Sequence, residues 1–536
     1  MKQYLLLSII ILALPIMLFS QTITPKIDWY KVYDGPGKGV DLTNDIKIDE
    51  SQNIYLVGRS AGPDSSQDLL ILKYSKNGDS TLGLRYISAP HSWDEANSIA
   101  IDSKSDIYVV GGATFGQNTF YALFHKYSIN GELIWAKNFN SDLNINSTGV
   151  QVVLNSKEDA IIGYNRSSAK IGKYSSLGDS LWTVSIYDDT SFYEVNYLAV
   201  DKNDNIYAAI TQKYWNGGDL PETKIVLVKI NNTGEVLWRK QFKGNDVRKT
   251  MFDNEDNFIL MTTEALIVKI NSLGDTLWTR QYPEIGNIVI TTDLVVDSNN
   301  DIVFTGYGLG DNSWDYFTQK MSSTGQEKWV CTFNSDENLN DFASSLTIDK
   351  ENNIFVTGGT HNSISVGYCY TVKYSTTGEF KWALKFDAPH SKFENGNKIF
   401  VDDSSNIYIG GEVADSINGW NFLALKIKQE NSTGIISVDK NIPSNYSLSQ
   451  NYPNPFNPST TIRFSVPKQS HIRIEVVNTV GQHIATVINE TRDAGNYEVS
   501  WQANISSGMY FYRIEAIDIH NPNNNFVETK KMILLR

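Results

Sequence analysis

Asp349-Lys350-Glu351-Asn352-Asn353-Ile354-Phe355-Val356-Thr357-Gly358, followed by Tyr374-Ser375-Thr376-Thr377-Gly378-Glu379-Phe380-Lys381-Trp382, spells out two β-hairpins in one unit of sequence. The first half recurs at Asp49–Gly58, Asp102–Gly111, Asn155–Gly163, Asp201–Tyr207, Asp253–Phe258, Asp297–Gly306 and Asp402–Gly410, at intervals of 44 to 53 residues. That period belongs to propeller blades and exceeds that of helical repeats. Within a unit the apolar residues alternate, as in Ser98-Ile99-Ala100-Ile101 and Ile107-Tyr108-Val109-Val110, which predicts two strands joined by a tight turn. The second hairpin turns at a glycine that recurs as Gly78, Gly131, Gly178, Gly234, Gly274, Gly325, Gly378 and Gly434. A turn that needs positive φ selects glycine, which has no Cβ to clash. Four antiparallel strands repeated eight times predict an all-β, eight-bladed β-propeller.

Four residues after that glycine stands Trp135, Trp182, Trp238, Trp278, Trp329 or Trp382, with Leu82 in the first unit and Val438 in the last. Asp28-Trp29-Tyr30-Lys31-Val32-Tyr33 reads as one more fourth strand, but no strands precede it. It is therefore expected to complete the last blade and close the ring, since an open propeller would leave two raw edges. The alternative is a last blade that closes itself through Val438, with Trp29 on a fifth, outer strand.

The 536 residues carry a formal charge of −14, which argues against a nucleic-acid partner because a polyanion would be repelled. Residues 22–440 hold 37 Lys/Arg and 53 Asp/Glu, whereas 441–536 hold 8 and 7. The repeat stops where a Pro-rich stretch, Pro443 to Pro467, begins. Beyond it Thr461–Val466, His471–Val476 and Met509–Ile514 alternate cleanly, which predicts a small immunoglobulin-like β-sandwich. At the other end, Lys2 precedes an apolar run from Tyr4 to Phe19, the layout of a secretory leader. No later run approaches the ~20 apolar residues of a membrane span, so the mature chain is not expected to cross one. The expected organisation is a signal peptide at 1–21, the propeller at 22–436, a linker at 437–446 and the tail domain at 447–536.

Leu448-Ser449-Gln450-Asn451-Tyr452-Pro453-Asn454-Pro455-Phe456-Asn457-Pro458-Ser459-Thr460, with Ala494-Gly495, Trp501, Ser507-Gly508-Met509-Tyr510 and Lys530-Lys531-Met532, resembles the C-terminal sorting domain of the bacterial type IX secretion system. The resemblance implies a sandwich read by the outer-membrane export machinery, with the cargo released or attached to the cell surface after passing the periplasm. The sorting-motif residues are Asn451, Tyr452, Pro453, Asn454, Pro455, Phe456, Asn457, Pro458, Gly508 and Tyr510. The repeats resemble the secreted bacterial β-propeller repeat family. Their Gly-Glu/Asp-x-x-Trp segments are also similar to the tryptophan-docking repeats of quinoprotein dehydrogenases and of an outer-membrane assembly scaffold. In those proteins the indole packs between blades, and the vicinal cysteines that a quinone site would want are missing here: Cys331 and Cys369 stand alone.

Motif reading yields no catalytic residue, cofactor or metal. There is no His-Glu-x-x-His and no Gly-x-Ser-x-Gly. Asp201-Lys202-Asn203-Asp204-Asn205 superficially resembles a calcium loop, but Asp and Asn bond their own backbone in turns. Asp41, Asp94, Asp341 and Glu394 lie eight residues before the repeated anchor and can either cap their loops or ring a channel mouth around a cation. Four tryptophans lie outside the fourth strands and the tail: Trp93, Trp215, Trp314 and Trp420. All fall in connections that emerge on one face of an antiparallel blade. With Asp94, Glu95, Asp219 and Asp315 beside them, they are the candidate ligand-binding residues for a glycan or protein ligand. The expected function is a secreted or surface-attached binding module, and the alternative is a polysaccharide hydrolase or lyase.

Overall fold

The computed structural model describes residues 22–535 apart from 38, 65, 116–118, 140–146, 166–167, 189–190, 216–220, 283–288, 311–312, 336–338, 362–366, 416–418, 433–444 and 520–524. The leader at 1–21, Asp219, Gly434, Val438 and most of the 437–446 linker lie outside the described residues. Every regular element is a strand, and no helix among the described residues is long and apolar enough to cross a membrane.

Among the described residues, eight four-stranded antiparallel sheets form the propeller. Blade 1 runs Leu42–Ile48, Ile54–Ala61, Gln67–Tyr74 and Ser80–Tyr86 from axis to rim, and the order repeats through blade 7, whose outer strand is Phe380–Phe386. Blade 8 takes Ser391–Val401, Ile407–Asp415 and Gly419–Ser432, and its fourth strand is Thr22–Tyr33 from the other end of the chain. That strand pairs antiparallel along its whole length, from Thr22 against Ser432 to Tyr33 against Phe422. The innermost strands of successive blades touch in order, and the eighth touches the first.

Most blades are locked to the next by one repeated device, with Leu82 taking the place of the tryptophan in blade 1. The turn glycines have φ between +77° and +91°, and a Cβ on Gly378 would run into the Trp329 ring of the preceding blade. The indole N–H of Trp329 donates to Thr376 O of the same turn at 3.2 Å, and Trp29 does the same across the closure, to Lys76 O at 3.1 Å. A buried lysine stands near the end of each third strand, and Lys126, Lys229, Lys269, Lys320 and Lys426 reach the same carbonyl of the next blade. Each ammonium also meets a carboxylate of its own blade, as Lys269 meets Asp253 at 2.7 Å and Lys126 meets Asp102 at 3.2 Å. The repeated Asp is thus consumed twice over. Asp201 Oδ1 accepts the N–H groups of Asn203 and Asn205, and its other oxygen lies 3.6 Å from Lys229, which leaves no open calcium loop.

The tail domain is a two-sheet sandwich. Ser447–Leu448, Ser459–Val466 and Gly495–Gln502 form one sheet, and His483–Arg492, Ser470–Asn478, Gly508–Asp518 and Asn525–Leu534 the other. Ile462, Phe464, Ile474, Val476, Tyr512, Ile514 and Met532 fill the space between them.

Candidate functional site at the channel mouth

Each innermost strand carries a β-bulge at the same place, centred on Asn44, Asn97, Val150, Asn196, Arg248, Thr292, Ser344 and Asn397. A bulge re-aims a side chain and bends the strand. Here it swings the inner-strand carbonyl over the neighbouring strand, so that a Cβ on Gly58, Gly111, Gly306, Gly358 or Gly411 would collide with that carbonyl. This close approach explains the glycine that ends the repeat in these copies; in blade 8 it falls on Gly411, one residue past Gly410, and Gly163 instead meets the Val195 side chain. Asn44, Asn97 and Asn397 use the bulge to donate to the backbone of the next blade, at Ala96 O, Gly149 O and Thr43 O.

Above the bulges, where second strands turn into third strands and outer strands return to the axis, six rings form an unbroken arc across blades 6, 7 and 8. Trp314 meets Tyr307 at 5.6 Å between centroids, and Tyr307 meets Phe342 at 4.8 Å. Phe342 stacks on His361 at 4.7 Å, His361 lies 5.3 Å from Phe393, and Phe393 lies 4.5 Å from Trp420. All six are half-buried. Tyr307, Phe342, His361 and Phe393 line a mouth cavity of about 410 Å³, together with Arg248, Asn395 and Lys398. A second cavity of about 580 Å³, lined by Lys47, Asn97 and Lys249, adjoins it at Tyr197 and Lys398.

The structure distributes the expected site residues unevenly. Trp314 and Trp420 end the arc, whereas Trp93 and Trp215 stand elsewhere around the ring, 41% and 56% exposed. Trp93 lies under the Arg59 guanidinium at 4.7 Å, and Arg59 pairs with Glu95 at 2.9 Å. Trp215 packs edge-on against exposed Phe192. Asp315 accepts from Ser313 Oγ at 2.8 Å. Asp94 must be corrected: it is fully buried and accepts from Ser88 N, Ser88 Oγ and Ser92 Oγ, so it caps its loop and presents nothing to a ligand. Asp41, Asp341 and Glu394 accept the N–H six residues upstream in the same way, from Gly35, Ser335 and Ala388. They are caps, and among the described residues no group of three His, Cys, Asp or Glu is placed to hold a metal.

Two charged residues that motif reading missed stand near the bulges, outside the lining of both cavities. Arg59 and Glu412 occupy the position just after the repeat glycine, Gly58 or Gly411, which Tyr307 holds in blade 6. Variation at that one place in an otherwise regular repeat was the available signal. Burial pushes Glu412 up to about 7 even though Asn397 donates to it at 2.9 Å, and it pushes Glu394 up to about 8. Each therefore binds a proton in the folded chain that the unfolded chain has released, so stability falls as pH rises from about 5, up to about 7 for Glu412 and about 8 for Glu394, by at most roughly 1.4 kcal/mol per pH unit per group. Glu394→Gln mimics the protonated form and should flatten that decline in melting curves taken from pH 5 to 9. An unaltered slope would contradict the assignment.

The sorting motif is built into the tail's core. Asn451 is buried and donates to Pro453 O and Thr460 Oγ1, Phe456 enters the core, and Asn454 Oδ1 accepts from Ile533 N at 2.7 Å. Tyr510 donates to Ser506 O, and Tyr452 reaches the propeller, meeting Phe380 at 5.1 Å and the Tyr374 hydroxyl at 3.4 Å. Residues 450–534 match the family model of the secretion system C-terminal sorting domain. The chain is a β-propeller with a sorting tail. That sorting domain marks the protein for secretion by the type IX system. Among solved structures the Dos1 propeller aligns with a TM-score of 0.50 at 8% identity, covering 75% of this chain and 95% of that one, which shows the fold alone. BamB from Moraxella catarrhalis aligns at 0.42 with 10% identity over 75% and 97%, and the polysaccharide lyase Uly1 at 0.39 with 11% over 76% and 99%. No curated protein matches the chain.

Proposed function

We propose that the chain is a carbohydrate-binding propeller, carried through the periplasm by its leader and then released from or attached to the outer surface through its sorting domain. The unbroken arc from Trp314 to Trp420 carries this reading. Flat rings, each with part of its surface open to water, offer a continuous apolar strip on which sugar faces can stack, with Asn395 and Thr292 beside it to hydrogen-bond hydroxyls. Trp314→Ala and Trp420→Ala should each weaken a glycan found on an array by more than about 1 kcal/mol, the usual cost of losing an anchoring aromatic. Trp215→Ala, off the arc, should leave affinity unchanged. Binding that survives both arc substitutions would refute the reading.

One observation favours a second reading, a polysaccharide hydrolase or lyase. Glu412 is a buried carboxyl held near neutrality beside the Asn397 bulge, with the charge of Arg59 acting on it, and this is how a general acid is poised. Loss of polymer cleavage in Glu412→Gln, with binding retained, would establish it.

A further inference from the structure

The channel mouth has the opposite charge to the protein around it. The propeller stretch 22–440 is strongly acidic, yet the mouth cavity is lined by Arg248 and Lys398 and by no carboxylate. In the adjoining cavity, Lys47, Lys249 and Lys398 stand with Asp45 as the single lining carboxylate among the described residues. The acidic groups there are already engaged. Asp45 accepts from Ser98 Oγ and Ile99 N across the blade boundary. Asp293 accepts from Ser345 Oγ and Leu346 N and holds Lys249 at 2.9 Å. Arg248 spends only its Nε–H, on Thr263 Oγ1 at 2.9 Å, and is otherwise exposed. Among the described residues neither Arg248 nor Lys398 has a carboxylate within 4 Å, and the charge of Lys398 acts from farther off on Asp293, which Lys249 holds directly. Such an arrangement concentrates positive potential in a concave, low-dielectric setting, where a cation acts more strongly than on an open surface.

We propose that the mouth takes an acidic glycan, whose sugar rings lie along the arc from Trp314 to Trp420 while a carboxylate or sulfate group reaches Arg248 and Lys398. The proposal rests on the carbohydrate reading above and adds the charge of the ligand to it. Arg248 suits this role because its planar guanidinium can hold two oxygens at once, and Lys398 adds a point charge from the facing side of the cavity. The surrounding acidic surface disfavours densely charged polyanions such as nucleic acid, so the anion must be spaced along a polymer that the rings can hold.

The test uses residues 22–536 and two pairs of polymers that share a backbone, polygalacturonate with its methyl ester and dextran sulfate with dextran, plus a single-stranded oligonucleotide. Titration calorimetry should show at least one acidic polymer binding about 10-fold or more above its neutral partner, with affinity falling as salt rises. The pair that responds tells carboxylate from sulfate. Arg248→Ala/Lys398→Ala should remove that margin by about 10-fold or more, as loss of charged hydrogen bonds does, and leave any neutral binding as it was. Lys350→Ala, remote from the mouth, should change nothing. Equal binding of charged and neutral partners, an unaffected double variant, or tighter binding of the oligonucleotide would overturn the acidic-ligand proposal alone. Binding of no polymer, or binding indifferent to Trp314→Ala and Trp420→Ala, would overturn the carbohydrate reading with it.

Discussion

Removing residues 22–33 is expected to destabilise the propeller by on the order of 5 kcal/mol, a large share of the ~5 to 15 kcal/mol that holds a typical domain together. The strand is the outer member of blade 8, and without it Gly419–Ser432 becomes a long, unprotected edge of the kind that templates aggregation. Its contacts also bridge to both neighbouring blades. Trp29 packs on Gly78 and donates to Lys76 O in blade 1, Tyr30 lies edge-on to Phe386 of blade 7, and Asp28 holds Lys428 at 2.9 Å. Trp29→Ala alone should cost about 2 to 3 kcal/mol, toward the low end for a large aromatic because the ring is only half-buried. Thermal melting of the truncated and intact chains decides the matter, and coincident transitions would show that closure contributes nothing.

Lys269→Met is expected to cost about 3 to 5 kcal/mol, the penalty for leaving a buried carboxylate without its partner. Lys269 is 5% and Asp253 0% exposed at the side chain. Asp253 otherwise has only the N–H groups of its own turn and the Asn257 amide. In the intact protein those hydrogen bonds and the Lys269 ammonium overcome desolvation and hold Asp253 below its ordinary value. That stability is present above the unfolded pKa near 3.8 and is lost as pH falls through the lowered folded value. The deficit of the variant should therefore be largest at neutral pH and shrink under acid, where Asp253 takes up a proton. Lys381→Ala, which breaks an exposed pair with Glu379, should stay within about 1 kcal/mol. Denaturant titrations at pH 7 and pH 4 separate the two cases.

The fold was legible because its determinants lie close together in the chain and repeat. Turn glycines, docking tryptophans and alternating strands all fall within one unit of about 50 residues. Even the closing strand announced itself, since Trp29 matches a fourth-strand pattern with no blade in front of it. The aromatic arc was legible only in part. Its rings come from inner, second and third strands of three blades, and no spacing in the sequence relates Phe342 to His361 or Phe393 to Trp420. Trp93 and Trp215 share the face of the arc but lie at other angles around the ring, a coordinate that a linear pattern does not carry. The buried lysines were hidden differently: Lys126 and Lys320 lie in third strands buried at nearly every position, covered by a carboxylate of their own blade and by the next blade's turn.

The joining of the two ends also sets an order of events in time. Thr22 cannot meet Ser432 until some four hundred residues have emerged between them, which at ordinary synthesis speeds takes roughly 20 to 80 s. Throughout that interval the first strand, in which Ile27, Trp29 and Val32 alternate with Lys26, Asp28 and Lys31, has no partner, and the blades before the eighth stand as an open crescent. Completion of the ring thus reports that synthesis has passed blade 8: a chain broken off anywhere before it has no strand to receive its own beginning. Because the sorting domain is encoded after Ser432, every molecule that bears the export signal also bears the segment its N terminus requires.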